Sequence, residues 1–215
     1  MADAHKEKAL ATHNIVDDAL AYLLPPKPYS ALIFDCDGTL ADTMPIHYQA
    51  WRSTLVKRDA DIFTEAQFYR FAGIPSEEII RRLNQEFGYD LDPLAVSDEK
   101  EQLYVELLDE IREIRAVVNI ARSHFGKVPM AVASGGYRWV VEKTLNKLGL
   151  LSLFQSIVTA EDVLHGKPAP DIFLLAASRL GVPPSECVVY EDGDTGLIAA
   201  KQAGMRSIDV RRTLT

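Results

Sequence analysis

Ala31-Leu32-Ile33-Phe34-Asp35-Cys36-Asp37-Gly38-Thr39-Leu40 joins an unbroken apolar run to a pair of carboxylates. Apolar residues without alternation suit a strand covered on both faces, as in a parallel sheet. The acids that follow then stand at the carboxyl end of the strand, where open α/β sheets place their ligands. Similar runs recur at Met130-Ala131-Val132-Ala133, Cys187-Val188-Val189-Tyr190 and the shorter Ser207-Ile208-Asp209-Val210, with Gln155 to Val158 as a further candidate. Helical patterns separate them: Trp139, Val140, Leu145 and Leu148 before Gly149; Ile172, Leu175, Ala176 and Leu180 before Gly181; and residues 197–203 before Gly204. A glycine just past a helix is the usual left-handed stop. Strand and helix in alternation predict an α/β fold with a doubly wound parallel sheet and right-handed crossovers.

Residues 43–115 break that rhythm and read as helices alone: Ile46–Lys57, Glu65–Phe71, Ser76–Phe87 and Asp98–Ile114. Leu103, Leu107, Leu108, Ile111 and Ile114 give the last of these an apolar stripe. A helical block beginning just after the acidic pair is expected to sit over that end of the sheet. The organisation predicted is a helical leader and linker over 1–28, an α/β core over 29–42 and 116–215, and a helical cap over 43–115. In the leader, Leu10, Ile15, Ala19, Leu20, Leu23 and Leu24 recur near helical spacing until Pro25, Pro26 and Pro28 stop the helix.

The bulk properties narrow the function classes. A chain of 215 residues with 47% hydrophobic and 25% charged residues is ordinary globular protein, long enough for one core and a smaller accessory domain. A formal charge of −8 leaves no basic surplus for a nucleic-acid backbone, so no nucleic-acid partner is expected. The first segment never offers the ~20 consecutive apolar residues of a membrane span. A cytoplasmic monomer without a membrane partner is the expectation, with Cys36 and Cys187 as reduced, buried thiols.

Four strand ends carry the chemistry. At the first, one carboxylate can attack a phosphorus atom and the other, two residues on, can protonate a leaving oxygen and later activate water. At the second, Ser134-Gly135-Gly136 offers a hydroxyl and free backbone N–H groups suited to a phosphoryl oxygen. Lys167-Pro168 brings an ammonium that offsets the repulsion between carboxylate and phosphate. Glu191-Asp192-Gly193-Asp194 clusters acids that repel unless a cation joins them, and oxygen-only ligands suit Mg2+.

Asp35-x-Asp37-Gly-Thr, Ser134, Lys167-Pro and Glu191-Asp192 resemble, in order and spacing, the four motifs of the haloacid dehalogenase superfamily. The helical insert after the first motif resembles the capped sugar-phosphatase and β-phosphoglucomutase branch. The strings Lys167-Pro-Ala-Pro-Asp-Ile-Phe and Cys187-Val-Val-Tyr-Glu-Asp-Gly-Asp-Thr-Gly resemble that branch specifically, and a closer likeness is to bacterial fructose-1-phosphate phosphatases. The likeness covers Tyr29 to Val210 and leaves the leader unexplained. It implies a Rossmann-like core under a four-helix cap and a magnesium-dependent phosphatase acting on a small phosphorylated metabolite. It also implies Asp35 as nucleophile and metal ligand, and Asp37 as general acid/base that also binds metal through its carbonyl. Asp192 would bind Mg2+ with Glu191 beside it, and Ser134 and Lys167 would hold the phosphoryl group.

A β-phosphoglucomutase would use the same aspartyl phosphate but return the group to a sugar. Its cap would then grip a second phosphate, with a basic residue on each side of the cap-loop glycine. Phe71-Ala72-Gly73-Ile74-Pro75-Ser76 has neither, although Lys100 and Arg52 offer charge from other cap helices. A signalling receiver domain has its acidic pair in the reverse order and no cap, a true dehalogenase leaves Asp37 and Asp192 without a task, and a non-catalytic phosphate-binding module would not need every catalytic position filled. Within the cap, His47 is a candidate substrate or closure contact, or else a partly buried histidine; Trp51, Phe68, Tyr69 and Phe71 are expected to be cap core.

Overall fold

The computed structural model describes residues 21–60, 63–71 and 73–213. Most of the leader therefore lies outside the described residues. Of its last turn, Leu23 is fully buried and its carbonyl accepts a hydrogen bond from the Tyr190 hydroxyl at 2.7 Å.

Five parallel strands form one sheet: β1 (Ala31–Phe34), β2 (Met130–Ala133), β3 (Ser156–Val158), β4 (Cys187–Glu191) and β5 (Arg206–Asp209), in the order β3-β2-β1-β4-β5. β1 is central, and its two side-chain sets face two cores. Leu32 and Phe34 pack with Val132, Val188 and Tyr190 against Val117, Val118, Val141 and Leu145. Ala31 and Ile33 pack with Ala131, Ala133 and Val189 against Phe173, Ala176, Ala199 and Ala200. Helices on both faces explain why the central strands carry no polar alternation. The helices are α5 (Arg115–His124) and α6 (Arg138–Lys147) on the first face, and α7 (Asp171–Leu180) and α8 (Asp194–Gln202) on the second.

Between β1 and α5 lie four cap helices: α1 (Met44–Val56), α2 (Glu65–Arg70), α3 (Ser76–Phe87) and α4 (Pro93–Glu106). They enclose their own cluster, built on Trp51, Leu55, Phe68, Phe71, Ile80, Leu83 and Val96. Ile46, Ala50, Tyr104, Ile111 and Val140 form a separate apolar seam joining cap to core. The chain crosses between the two along a pair of adjacent segments. Asp42 N–H donates to the Arg112 carbonyl at 2.9 Å, Ile114 N–H donates to the Leu40 carbonyl at 2.9 Å, and Ala41 bridges Glu113.

The structure corrects several boundaries. The last cap helix spans Pro93–Glu106 rather than Asp98–Ile114. Asp92 caps it by accepting from the Leu94 and Ala95 N–H groups, and Pro93 fits its first turn. At the far end it passes into a 3-10 turn, Leu108–Glu110, because the chain must extend to rejoin Leu40 and Asp42. The stripe from Leu103 to Ile114 is therefore not one helical face. The buried face of α4 is Val96, Ser97, Lys100, Glu101 and Tyr104, mostly polar, and that matters for the site. α5 was not anticipated, although Val117, Val118, Ile120 and Ala121 carry its buried stripe. β5 begins one residue earlier than expected and ends at Asp209. Cys36 and Cys187 are buried and unpaired. No helix among the described residues is long and apolar enough to cross a membrane.

Candidate active site

β1 delivers Asp35 to the carboxyl end of the sheet, where its N–H still donates to the Tyr190 carbonyl at 3.0 Å. The chain then folds back tightly: Leu40 N–H donates to the Cys36 carbonyl at 2.9 Å and Gly38 N–H to the Ala41 carbonyl at 2.8 Å. Gly38 has a φ of +76°, and a Cβ there would lie 2.1 Å from Asp192 Oδ2. Only glycine meets both conditions. Gly38→Ala is expected to displace Asp192 and lower turnover by at least ~10-fold, with a raised metal requirement, because ligands and their supports are sensitive to small displacements. Steady-state kinetics across a Mg2+ titration measures both effects.

Lys167 is the cation at the centre. It lies 4% exposed beneath the sheet edge, with Nζ donating to Asp35 Oδ1 at 2.6 Å and to Glu191 Oε2 at 2.7 Å. Burial acts to lower its pKa, but the two carboxylates outweigh burial and raise it well above the usual lysine range, so it stays charged. Burial, followed by the charge of Glu191, pushes the Asp35 carboxyl up against the pull of Lys167. Asp192 is pushed up to about 7, again by burial first and then by Glu191. Thr39 Oγ1 donates to Asp192 at 3.3 Å, and Gly193 N–H donates to Glu191 Oε1 at 2.9 Å.

Asp35, Glu191 and Asp192 each offer a carboxylate oxygen within 4.8 Å of the others. One ammonium does not balance three crowded carboxylates, and the donor set is oxygen alone. These residues fit a hard divalent cation such as Mg2+.

Asp37 lies at the cap side. Its Oδ1 accepts from Thr43 Oγ1 at 2.7 Å and pairs with His47 Nε2 at 3.1 Å. Its Oδ2 faces the loop after β2, 3.9 Å from where a Cβ on Gly136 would stand. Burial acts to raise its pKa, but His47, Thr43 and Lys100 prevail and hold it at about 2. His47 Nδ1 is 2.8 Å from Lys100 Nζ. An ammonium has no lone pair, so Nδ1 accepts, Nε2 carries the proton, and His47 donates to Asp37. The imidazole also stacks on Tyr104, with centroids 4.0 Å apart and planes 4° from parallel. Lys100 continues to Glu101 Oε1 at 2.9 Å, which also accepts from Ser76 Oγ at 2.7 Å. A hydrogen-bonded line thus runs from cap helix α4 to the second acid of the core.

The loop after β2 is positioned by Ser134 N–H donating to the Val158 carbonyl at 3.0 Å. Gly136 N–H donates to Ser134 Oγ at 3.1 Å, which leaves the hydroxyl hydrogen free to donate. The cap loop presses on this turn, since a Cβ on Gly135 would lie 2.4 Å from the Gly73 carbonyl oxygen. The result is a narrow cavity of about 80 Å3 between cap and core. Small-molecule pockets usually offer ~300–1,000 Å3, so this cavity is small for a sugar phosphate as it stands.

Asp35, Asp37, His47, Lys100, Ser134, Gly135, Glu191 and Asp192 all line this cavity, and Lys167 lies directly behind its carboxylates. Arg52 is exposed on α1 and does not line it. Trp51, Phe68 and Phe71 are buried in the cap cluster and also line the cavity. Tyr69, expected with them, is instead 49% exposed. Sequence reasoning missed Thr43, Ser76, Glu101 and Tyr104. For the last two the signal was the spacing of residues 97, 100, 101 and 104, hidden because polar positions were not read as a buried face.

A family model for haloacid dehalogenase-like hydrolases matches residues 29–204. Fructose-1-phosphate phosphatase YqaB of Escherichia coli is 41% identical over 183 residues, covering 85% of this chain and 97% of its own. The β-phosphoglucomutase of Bacillus subtilis is 30% identical, covering 84% of this chain and 82% of its own. Among solved structures, CbbY from Rhodobacter sphaeroides in complex with xylulose-(1,5)bisphosphate superimposes with a TM-score of 0.76 at 29% identity, covering 84% and 85% of the two chains. With a catalytic-type strand end under a helical cap and a family match over most of its length, the chain belongs to the haloacid dehalogenase-like hydrolases.

Proposed function

We propose that this chain is a Mg2+-dependent phosphatase that hydrolyses a small sugar phosphate through an aspartyl phosphate on Asp35. The observation that carries this reading is the pairing of Asp35 with Lys167 at 2.6 Å beside Glu191 and Asp192, while Asp37 is held apart by Thr43 and His47. Two neighbouring carboxylates are thereby given different work. Asp35 is oriented and unencumbered on its second oxygen; Asp37 is reserved for protons.

In the first step an Asp35 oxygen bonds to phosphorus as the bond from phosphorus to the sugar oxygen breaks. Asp37 Oδ2 faces the space beside Ser134 and Gly136 and delivers the proton to the departing oxygen. It must be protonated as substrate enters, and the incoming dianion favours this by repelling its negative charge. In the second step Asp37, now a carboxylate, takes a proton from the water that attacks phosphorus and frees Asp35. His47 and Thr43 hold it as a carboxylate when no substrate is near, the form that can accept a proton. Ser134 Oγ–H and the N–H of Gly135 donate to the phosphoryl oxygens, and Lys167 offsets their charge. Asp35, Asp192 and Glu191, with the Asp37 carbonyl, would hold Mg2+. The ion supplies charge stabilisation for the transferring group.

Water as acceptor is supported by the cap loop, where Phe71, Gly73, Ile74 and Pro75 bring no charge to the cavity. The name of the Escherichia coli relative agrees with a sugar monophosphate. A cytoplasmic setting and a monomeric state remain part of this reading, as do the limits 43–115 for the cap and 29–42 with 116–215 for the core. The test is phosphate release from an aryl phosphate and a panel of sugar phosphates. Chelation of divalent ions is expected to abolish release and added Mg2+ to restore it. Undiminished release in excess chelator would remove the metal from the account.

A further inference from the structure

The cap side of the cavity ends in a buried acid that the reaction does not use. Glu101 is 3% exposed and lines the cavity. Its Oε1 is occupied by Lys100 and Ser76, whereas its Oε2 is buried without a hydrogen-bond partner among the described residues. Leaving a buried carboxylate oxygen unsatisfied is costly, so a native site that keeps one is built for a donor that arrives. Phe71, Ile74 and Ile79, which line the apolar wall of the chamber, have no side-chain donor for that oxygen.

The charge balance around Glu101 defines what can arrive. Of the residues that line the cavity, Lys100 is the only lysine or arginine. Its ammonium is already engaged by His47 Nδ1 at 2.8 Å and Glu101 Oε1 at 2.9 Å, with the Trp51 and Tyr104 rings 5.4 and 5.6 Å away. Among the described residues lining the cavity, no guanidinium fork and no further ammonium is left to meet a second phosphate. Lys100, then His47, act against burial to keep the Glu101 carboxyl below its ordinary value, so it is an anion at neutral pH.

We propose that Glu101 is the specificity-determining residue of the cap: its free oxygen accepts a hydrogen bond from a sugar or polyol hydroxyl, and its charge excludes a second phosphate. The proposal rests on the phosphatase reading and narrows its substrate class to monophosphates of neutral polyhydroxylated compounds. A hydroxyl satisfies the orphaned oxygen, whereas a phosphate brought to the same place would face a buried anion with no spare cation, and like charges brought together at low dielectric repel strongly. The enclosure adds to the selection, because water cannot screen the pair once the cap is shut.

Glu101→Gln and Glu101→Ala test this, with fructose 1-phosphate and fructose 1,6-bisphosphate as probes. The readout is the ratio of kcat/KM for bisphosphate to that for monophosphate. The wild-type protein is expected to favour the monophosphate, and both variants are expected to raise the ratio by at least ~10-fold, a modest value for removal of a like charge from a closed site. A general loss of packing scales both substrates together and leaves the ratio where it was. An unchanged ratio in both variants, or a wild-type protein that turns over both probes equally, overturns the proposal. An absence of Mg2+-dependent release from an aryl phosphate by the wild type would instead strike the phosphatase reading itself.

Discussion

Asp35→Asn is expected to lower phosphate release by at least ~10^4-fold, the scale on which loss of a nucleophile acts. The amide keeps the size of the carboxyl and its carbonyl oxygen still accepts from Lys167, whose Nζ lies 2.6 Å from Asp35 Oδ1. What it loses is the anionic oxygen that must bond to phosphorus. The fold is not expected to suffer. Burial and Glu191 both disfavour the charge on Asp35, so a neutral side chain relieves crowding with Glu191 and Asp192. A thermal melt in chelator equal to or above that of the wild type, together with lost turnover, separates a chemical defect from a folding one. Near-normal turnover would remove Asp35 from the nucleophile role.

The second large effect is expected at Lys167. Lys167→Met keeps the length of the stem but takes the ammonium from between Asp35 and Glu191, at 2.6 and 2.7 Å. Two buried carboxylates then face each other, with Asp192 close by. Removing one partner of a buried ionic group costs ~3–5 kcal/mol because the others are left uncompensated. Denaturant unfolding in chelator is the sensitive condition, since a bound cation would replace part of the missing charge. Turnover is expected to fall by ~10^2-fold or more even with Mg2+, as the developing charge on phosphorus loses its fixed counter-charge. An unfolding free energy unchanged in chelator would contradict the compensating role assigned to this lysine.

The core was legible in the sequence because its physics is repetitive. Ala31–Phe34, Met130–Ala133 and Cys187–Tyr190 lie between helices on both faces, so each reads as an uninterrupted apolar run. Those same runs end at the cavity, which is why Asp35, Ser134 and Glu191 could be placed beside one another by position. Lys167 was found through its neighbours in the motif rather than by any pattern of its own. The cap was less legible for a physical reason. Helix α4 buries Ser97, Lys100 and Glu101 on the face where hydrophobicity is sought, and Lys100 and Glu101 there line the cavity rather than an apolar core. Reading Leu103 to Ile114 as its stripe extended the helix past Glu106, into a segment that packs Ile111 and Ile114 after the helix has ended. Thr43 and His47 were visible as residues but not as partners of Asp37. Their link depends on the hinge at Ala41–Thr43 turning α1 back over the strand end.

Asp37 is where the cap touches the acids of the core. It pairs with His47, which is held by Lys100 on the far side, so in the proposed reaction its protonation answers to the cap. The hydrogen-bonded line thus joins the cap to the second acid of the core. Gly73 pressed against Gly135 leaves a chamber of about 80 Å3 between cap and core, small for a sugar phosphate as it stands.

The central claim is that phosphate passes through a covalent bond to Asp35. The direct measurement is rapid acid quench of the enzyme during turnover with Mg2+ and a sugar phosphate, followed by borohydride reduction and peptide mass spectrometry. An acyl phosphate is reduced to an alcohol, so the account predicts homoserine at position 35 in the turnover sample and unmodified aspartate without substrate. Reduction at another acid, or continued phosphate release with Asp35 never modified at any quench time, would contradict it.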